Sequence, residues 1–362
     1  MAMLKTLAVA GLAIAALAGR APDAAAGDLI LAAAKPGHLY VIDAARRTVR
    51  SDFAIADAGD SAATIVPSPD GRRAYVLVNR MESIVGIDLR SGKAVFRADL
   101  SSPGERVKDF FAFAVTPDGK ELIAYELPTR LLPSEYHVEQ PRFAVFRTDA
   151  GLKAEPVRSY PAPRRVVMML MRPSGKSFYA LGFDLDEFDV TSGRLVGTRG
   201  ITRWQLPEHS QPDVLAFWPV TEPSGVFTTP VTSDVTHGGS TVARTGIMTL
   251  DVGSGALDFH DFEDTAAIIF SSVMSPDHKT VYGSYTTLTK VDLVTHTLAQ
   301  RQPLDHTFYA VNIASDGKEL YVGGAMCDVA FYDPANLAKR AMIQLPGCGD
   351  QSVASLRVIK DH

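Results

Sequence analysis

The sequence predicts an all-β protein, a seven-bladed β-propeller built from four-stranded antiparallel blades. Three observations support this prediction: a recurrent Ser-Pro-Asp-Gly phrase, a second phrase that ends in Asp, and a spacing of about forty residues between most copies of the second phrase. Blades of four short strands repeat at about that period. No amphipathic helical pattern separates the strands, which argues against a parallel α/β fold.

The first phrase is a turn between two strands. Its most complete copy is Ser68-Pro69-Asp70-Gly71. Proline presets φ, aspartate can accept hydrogen bonds from the backbone ahead of it, and glycine takes positive φ, so the phrase predicts a hairpin turn. Further copies begin at Thr116, Arg172, Ser275 and Ala314, and degenerate copies begin at Glu222 and Lys35.

The second phrase is an alternating strand that ends near an aspartate and is often followed by Ser-Gly. Its seven anchors are Asp43, Asp88, Arg147, Asp189, Asp251, Asp292 and Asp333. Successive anchors are 45, 59, 42, 62, 41 and 41 residues apart. Seven copies predict seven blades in a repeat of the YVTN type.

The two ends of the chain predict how the ring closes. The first copy begins at Asp28, already at the second strand of its blade, and residues 352–359 read as an innermost strand with no blade after it. We therefore expect the C-terminal strand to complete blade one and remove the exposed sheet edges. Residues 27–362 are predicted to form a single propeller domain.

Residues 1–26 have the pattern of a secretory signal peptide. Lys5 precedes an unbroken apolar run over residues 7–18, which is too short to span a bilayer as a mature helix. Cleavage is expected after Ala26, with Ala18 as a second choice; the alternative is an uncleaved anchor. The cleaved chain is expected to be soluble and periplasmic, with no membrane association.

Composition excludes several classes of function. The net charge is −5 and the pI is near 6.0, which argues against a nucleic-acid partner. Neither cysteine begins a C-x-x-C-H motif, so no c-type haem is expected on this chain. H-E-x-x-H, G-x-S-x-G and Walker A motifs are absent from the sequence. The chain alone is therefore predicted to be a scaffold or binding module with no catalytic residue, cofactor or metal.

The positions of the unusually long connections between strands predict which face of the ring is functional. If the strands of each blade are labelled a to d from the axis outward, the long connections are all of the b–c and d–a type and share one face. The inserted segments, 128–141, 201–212 and 230–243, include His137, Glu208 and His209. The candidate residues for binding a partner or lining a cavity are Asp57, Glu105, Arg106, Phe110, Tyr136, Glu139, Trp204, Gln211, Asp213, His306 and Tyr309.

Two interpretations of these residues stay open. The carboxylates of Asp57, Glu105 and Asp213 could surround the mouth of the axial channel, where a carboxylate could act as a base or bind a cation. Alternatively, they could accept hydrogen bonds from loop backbone N–H groups. The aromatic residues could anchor a partner, or they could pack only against their own chain.

Cys327 follows strand b of blade seven and Cys348 follows strand d, which favours a disulfide in an exported protein; two free buried thiols are the alternative.

Several phrases resemble the β subunit of quinohaemoprotein amine dehydrogenases along essentially the whole mature chain. They are KPGHLYVID at 35–43, IADAG at 55–59, DLSSPGERVK at 99–108, QPDVLA at 211–216, RTG at 244–246 and SVASLR at 352–357. These phrases are more specific than the generic propeller turns.

The resemblance implies a periplasmic enzyme of three subunits that deaminates primary amines oxidatively. A small subunit would carry cysteine tryptophylquinone, and a dihaem subunit would carry haem c. This chain would hold the two partners together and wall the cavity around the quinone. The alternatives are a stand-alone exported propeller, either a hydrolase of the lactonase type or an adhesion or binding module.

Overall fold

The computed structural model describes residues 27–201, 208–215, 218–264, 267–351 and 355–361. In these ranges it contains thirty β-strands and two short 3₁₀-helices, Asn79–Met81 and Gly151–Lys153. No helix in these ranges is long and apolar enough to cross a membrane. The predicted signal peptide and Trp204 lie outside the described residues.

The strands are distributed along the whole described chain. The first fifteen are β1 Asp28–Ala34, β2 His38–Asp43, β3 Thr48–Ala54, β4 Ala62–Pro67, β5 Arg73–Val78, β6 Ser83–Asp88, β7 Ala94–Asp99, β8 Glu105–Lys108, β9 Phe113–Val115, β10 Glu121–Leu131, β11 Tyr136–Val138, β12 Arg142–Arg147, β13 Arg158–Pro161, β14 Met168–Met171 and β15 Ser177–Leu181. The others are β16 Leu185–Asp189, β17 Leu195–Arg199, β18 Asp213–Val214, β19 Val226–His237, β20 Ser240–Asp251, β21 Leu257–Glu263, β22 Ser271–Met274, β23 Thr280–Ser284, β24 Thr287–Asp292, β25 Thr297–Pro303, β26 Ala310–Ile313, β27 Leu320–Gly323, β28 Asp328–Tyr332, β29 Lys339–Gln344 and β30 Arg357–Lys360.

Seven antiparallel sheets form the blades, which confirms the predicted β-propeller. Blade 1 has the order β3-β2-β1-β30, and blade 2 is β4 to β7. Blade 3 is built on β9, β10, β12 and β13, and the long β10 also pairs with β8 and β11. Blades 4 to 7 are β14–β17, β18–β21, β22–β25 and β26–β29.

The ring closes where the two ends of the described chain meet. β30 is antiparallel to β1, with Asp28 opposite Lys360 and Leu31 opposite Arg357. β30 is therefore strand a of blade 1, as predicted. This pairing leaves β1 without a free edge.

The recurrent phrases form the turns on one face, named here the short-turn face, where strands a and b and strands c and d are joined. In the first copy, the Ser68 hydroxyl donates to Asp70 Oδ1 at 2.6 Å and accepts from the Arg73 N–H at 2.9 Å. Gly71 has a φ of 66°. Only glycine adopts that conformation without strain, which explains its place in the phrase.

The aspartate anchors cap the c–d turns of the same face. Oδ1 of Asp88 accepts from the Ser91 N–H at 2.8 Å, and Oδ1 of Asp189 accepts from the Ser192 N–H at 2.7 Å. Hydrogen bonds from these serine hydroxyls and backbone N–H groups hold the pKa of each carboxyl below its usual range. The anchors thus repeat because each one satisfies the backbone of a tight turn.

One expected turn copy is wrong. The segment 35–37 joins β1 to β2, so it is a b–c turn and lies on the opposite face, named here the long-loop face. The reason is that strand a of blade 1 comes from the C-terminus. The first turn along the described chain therefore cannot be an a–b turn.

Apolar side chains fill the space between neighbouring blades. Leu31 and Val41 of blade 1, for example, pack in one cluster with Val76 and Val85 of blade 2, and all four are at most 3% exposed. Burying such a side chain contributes about 1.5–3 kcal/mol. The blades are held side by side by these contacts, since the sheets share no hydrogen-bond ladder.

A charged pair bridges blades 1 and 5. Arg357 Nε lies 2.6 Å from Glu222 Oε1, and the Arg357 and Glu222 side chains are 8% and 18% exposed. Arg357 also donates to the Ile65 carbonyl at 2.9 Å, and Glu222 accepts from the Asn312 amide at 3.4 Å. The pair thus links the closing strand to three other blades.

We expect Glu222→Gln to lower the free energy of unfolding by about 3 kcal/mol, because it leaves a buried guanidinium without its counter-charge. The double variant Glu222→Gln/Arg357→Met should be more stable than the single variant. Urea unfolding of the native protein, Glu222→Gln, Arg357→Met and the double variant, followed by circular dichroism, measures both effects. A double variant that loses the sum of the two single losses would contradict the coupling.

Candidate functional site: the long-loop face

Two long hairpins rise from the long-loop face. β19 and β20 are twelve residues each and pair along their whole length, from Val226 opposite Asp251 to His237 opposite Ser240. In blade 3, β10 extends to Leu131 and pairs there with β8 and β11. Segments 128–141 and 230–243 are therefore β-hairpin extensions of strands b and c.

Exposed apolar side chains concentrate on this face. Tyr136 and Val138 of the blade 3 hairpin are 78% and 60% exposed, and Phe183, between strands b and c of blade 4, is 52% exposed. Among the described residues, nine of the fifteen large apolar side chains that are exposed lie here: Phe110, Leu131, Leu132, Tyr136, Val138, Phe183, Val242, Ile268 and Met326. The long-loop face therefore carries most of the exposed large apolar side chains of the described residues.

A cleft of about 220 Å³ opens on this face between blades 4 and 5. Its apolar wall is formed by Val167, Leu181, Phe183, Ile201 and Val214. The cleft brings together two of the predicted residues, Gln211 and Asp213. Both are exposed, and no described residue forms an ion pair or hydrogen bond with the Asp213 carboxylate. The cleft thus combines apolar walls with an unpaired negative charge.

The other two predicted carboxylates lie on different blade connections. Glu105 Oε2 is 3.1 Å from Arg142 Nη2, so this carboxylate is engaged in an ion pair within blade 3. Asp57, in the β3–β4 connection, is exposed and has a φ of 54°. No group of three or more His, Cys, Asp or Glu in the described ranges is arranged to hold a metal ion.

The remaining predicted charged residues pair locally. Arg106 Nε lies 3.1 Å from Glu82 Oε1, and Glu139 Oε1 lies 2.5 Å from Arg130 Nη2. His306 Nε2 lies 2.9 Å from Asp328 Oδ2. These contacts position loop backbone and hairpin strands.

Tyr309 belongs to an aromatic cluster that spans blades 5, 6 and 7. The ring centroid of Tyr309 lies 4.7 Å from that of Phe270. The Phe270 ring centroid lies 5.7 Å from that of Trp218 and 5.6 Å from that of Tyr285. Sequence reasoning missed Trp218, Phe270 and Tyr285. The sequence contained a pattern that could have indicated the cluster. Phe270 stands directly before strand a of blade 6, and Tyr309 stands directly before strand a of blade 7.

A buried acid that sequence reasoning also missed supports the Phe110 loop. Asp109 is fully buried; its Oδ1 accepts from the Ala112 N–H at 2.7 Å, and its Oδ2 has no hydrogen-bond partner. Burial raises the pKa of Asp109 to about 8, despite the Ala112 hydrogen bond, and the nearby Glu126 adds to the shift. The folded protein therefore holds this carboxyl neutral at pH 7.

The two cysteines are joined by a disulfide bond, with 5.6 Å between their Cα atoms. Cys327 directly precedes β28, and Cys348 follows β29. The bond therefore ties together the b–c connection and the segment after strand d on the long-loop face of blade 7. The Leu345 N–H also donates to the Cys327 carbonyl at 2.8 Å.

No protein-family model matches the chain, and no curated protein is similar to it in sequence. Solved structures are similar in fold. Hydrazine synthase of Kuenenia stuttgartiensis has a TM-score of 0.51 at 16% identity, over 85% of this chain and 90% of that one. Dihydro-heme d1 dehydrogenase NirN has a TM-score of 0.54 at 13% identity, over 94% and 77%.

A third similar structure is the Cps50 (Swd1) β-propeller domain of Myceliophteria thermophila, with a TM-score of 0.55 at 14% identity, over 82% of this chain and 89% of that domain. Identities this low establish the fold alone. The chain is a seven-bladed β-propeller.

We expect Asp109→Asn to flatten the pH dependence of stability. An unfolded aspartate ionises near pH 3.8, whereas the folded one ionises near 8, so the native protein loses stability as pH rises between these values, by at most about 1.4 kcal/mol per pH unit. Asparagine keeps the acceptor for Ala112 and removes the titration. Urea unfolding at pH 5, 7 and 9 measures the slope.

The exposed Asp60→Asn variant is the control, and it should retain the pH slope of the native protein. Equal slopes in the native protein and Asp109→Asn would contradict the assignment of the slope to Asp109.

Proposed function

We propose that the chain is the propeller subunit of a periplasmic quinohaemoprotein amine dehydrogenase. The proposal rests first on the sequence phrases that resemble those β subunits. The structural observation that supports it is the long-loop face, where extended hairpins, exposed apolar side chains and an acidic cleft occur together. An interaction surface and a small-molecule cleft on one face are what a cavity-walling subunit requires.

In this complex the long-loop face contacts the small quinone-bearing subunit and the dihaem cytochrome c subunit. Tyr136 and Phe110 are aromatic side chains, a type enriched at interfaces, and Val138 adds exposed apolar surface beside Tyr136. Cysteine tryptophylquinone on the small subunit would supply the carbonyl that reacts with the amine, and haem c would carry the electrons away. This chain supplies no reacting group and acts through binding.

The cleft between blades 4 and 5 guides the amine. A primary amine is protonated near neutral pH, and the unpaired Asp213 carboxylate attracts its ammonium group. The apolar wall contacts the carbon chain of the amine, and this chain is removed from water when the amine enters the cleft. Asp213 thus binds and orients the substrate before it reaches the partner's cofactor.

The structural neighbours are compatible with this proposal, since one of them is named as a synthase and another as a dehydrogenase. Their identities of 16% and 13% support only the shared architecture.

We expect the tagged mature chain, purified from its native periplasm, to bring with it a haem-staining chain and a small quinone-staining chain. The preparation should reduce a dye when a primary amine is added. Tyr136→Asp/Val138→Asp should weaken this co-purification, because two charges replace the exposed apolar anchors.

Leu195→Asp/Val196→Asp is the matched control. These side chains are 56% and 61% exposed but lie on β17, the outer strand of blade 4, so co-purification should persist. A chain that purifies alone and colourless would refute the subunit assignment.

We expect Asp213→Asn to raise KM for the amine about two- to fivefold with little change in kcat, because an exposed charge pair contributes up to about 1 kcal/mol to binding. Steady-state dye reduction by the purified complex measures both constants, and Asp60→Asn, in the β3–β4 connection, is the control. An unchanged KM, or a loss confined to kcat, would remove Asp213 from substrate binding.

A further inference from the structure

A second groove, of about 750 Å³, lies on the short-turn face between blades 1 and 2. One side is formed by β3 and the end of β30, and the other by the a–b and c–d turns of blade 2. The two turns are joined by a hydrogen bond from the Leu89 N–H to the Arg72 carbonyl at 2.9 Å. This groove is on the opposite face from the amine cleft, and the proposed function does not use it.

Positive charge lines the groove. Arg50 is paired with Asp361 at 2.7 Å, and Lys360 is paired with Asp28 at 3.0 Å. Arg72 and Arg90 are exposed, and neither guanidinium lies within ion-pair distance of a described carboxylate. Their charges act at longer range on Asp70 and Asp88, whose pKa values they help to lower. The groove therefore carries two exposed cations without a direct ion pair on adjacent turns.

The carboxylates that line the groove are already engaged. Oδ1 of Asp88 accepts from the Ser91 N–H at 2.8 Å and from the Ser91 hydroxyl at 2.7 Å. Asp361 holds Arg50. The groove lining has four cationic side chains against two carboxylates, so an excess of positive charge remains to attract an anion from outside.

The floor of the groove is apolar. Leu29, Val41 and Ile359 line it from the closing blade, and Leu89 lines it from blade 2. All four belong to or pack against one core cluster, so Leu29, Val41 and Ile359 are at most 9% exposed and Leu89, which is half-buried, offers the largest share of the apolar surface. Two guanidinium groups above an apolar floor match a ligand that carries carboxylates on either side of apolar side chains.

We propose that this groove binds a short acidic segment of a partner protein, extended and with apolar residues between its carboxylates. The segment lies along the groove, its carboxylates pair with Arg72 and Arg90, and its apolar side chains face the floor. An extended strand places alternate side chains on opposite sides, which suits a groove with a charged rim and an apolar base.

The test uses the purified chain and a fluorescent peptide of about eight alternating Glu and Leu residues, which would span roughly 26 Å. Fluorescence anisotropy should show saturable binding that weakens as salt is added. Arg72→Glu/Arg90→Glu should weaken binding at least about tenfold, because it replaces two attractive charges with repulsive ones.

The matched control is Lys176→Glu/Arg194→Glu, which reverses two cations on the a–b and c–d turns of blade 4. Its affinity should stay within about twofold of the native value, since blade 4 lies outside the groove. Thermal unfolding of both variants verifies that they fold.

Four results would overturn the proposal: no saturable binding, equal weakening in both variants, equal binding of a Gln-for-Glu peptide, or displacement of the peptide by low concentrations of inorganic phosphate. The second would indicate diffuse attraction to the whole surface. The fourth would assign the arginines to a small oxyanion. None of these results bears on co-purification of the haem and quinone subunits, so the two proposals fail separately.

Discussion

The pairing of β30 with β1 is the interaction on which the rest of the structure depends. It joins segments more than three hundred residues apart and gives blade 1 its innermost strand. Without it, β1 and the neighbouring blades would expose edges and apolar faces that the ring buries. Arg357 strengthens the closure, because it reaches from the closing strand to Glu222 of blade 5 and the Ile65 carbonyl of blade 2.

In the closed ring, the two faces are built by different chemistry. The turns of the short-turn face are fixed by local chemistry, in which Ser or Thr hydroxyls, Asp carboxylates and glycines satisfy one another within a few residues. The connections of the long-loop face carry no such requirement, so they can lengthen into hairpins without disturbing the frame. The hairpin extensions of blades 3 and 5 are two such lengthened connections.

This division explains what could be predicted from the sequence. The turn phrases and the seven anchors could be predicted because each depends on residues that are close in the chain. The closing strand could be predicted because the repeat count left blade 1 without its innermost strand and left one unassigned strand at the C-terminus. The 35–37 turn was misassigned because local chemistry cannot distinguish an a–b turn from a b–c turn. The contacts of Trp218 and Tyr285 and the burial of Asp109 depend on how blades and loops pack, which no local pattern reports. For the aromatic cluster the sequence offered only the repeated position of Phe270 and Tyr309 before strand a.

The two faces differ in the charge they leave unpaired. On the long-loop face the free group beside the cleft is a carboxylate, Asp213, next to an apolar wall from which Phe183 is exposed. In the groove between blades 1 and 2 the exposed groups without a direct ion pair are the guanidiniums of Arg72 and Arg90. Opposite charges on opposite faces select different partners, because a ligand attracted to one site is repelled by the other. A closed ring can therefore present two binding faces of opposite local charge.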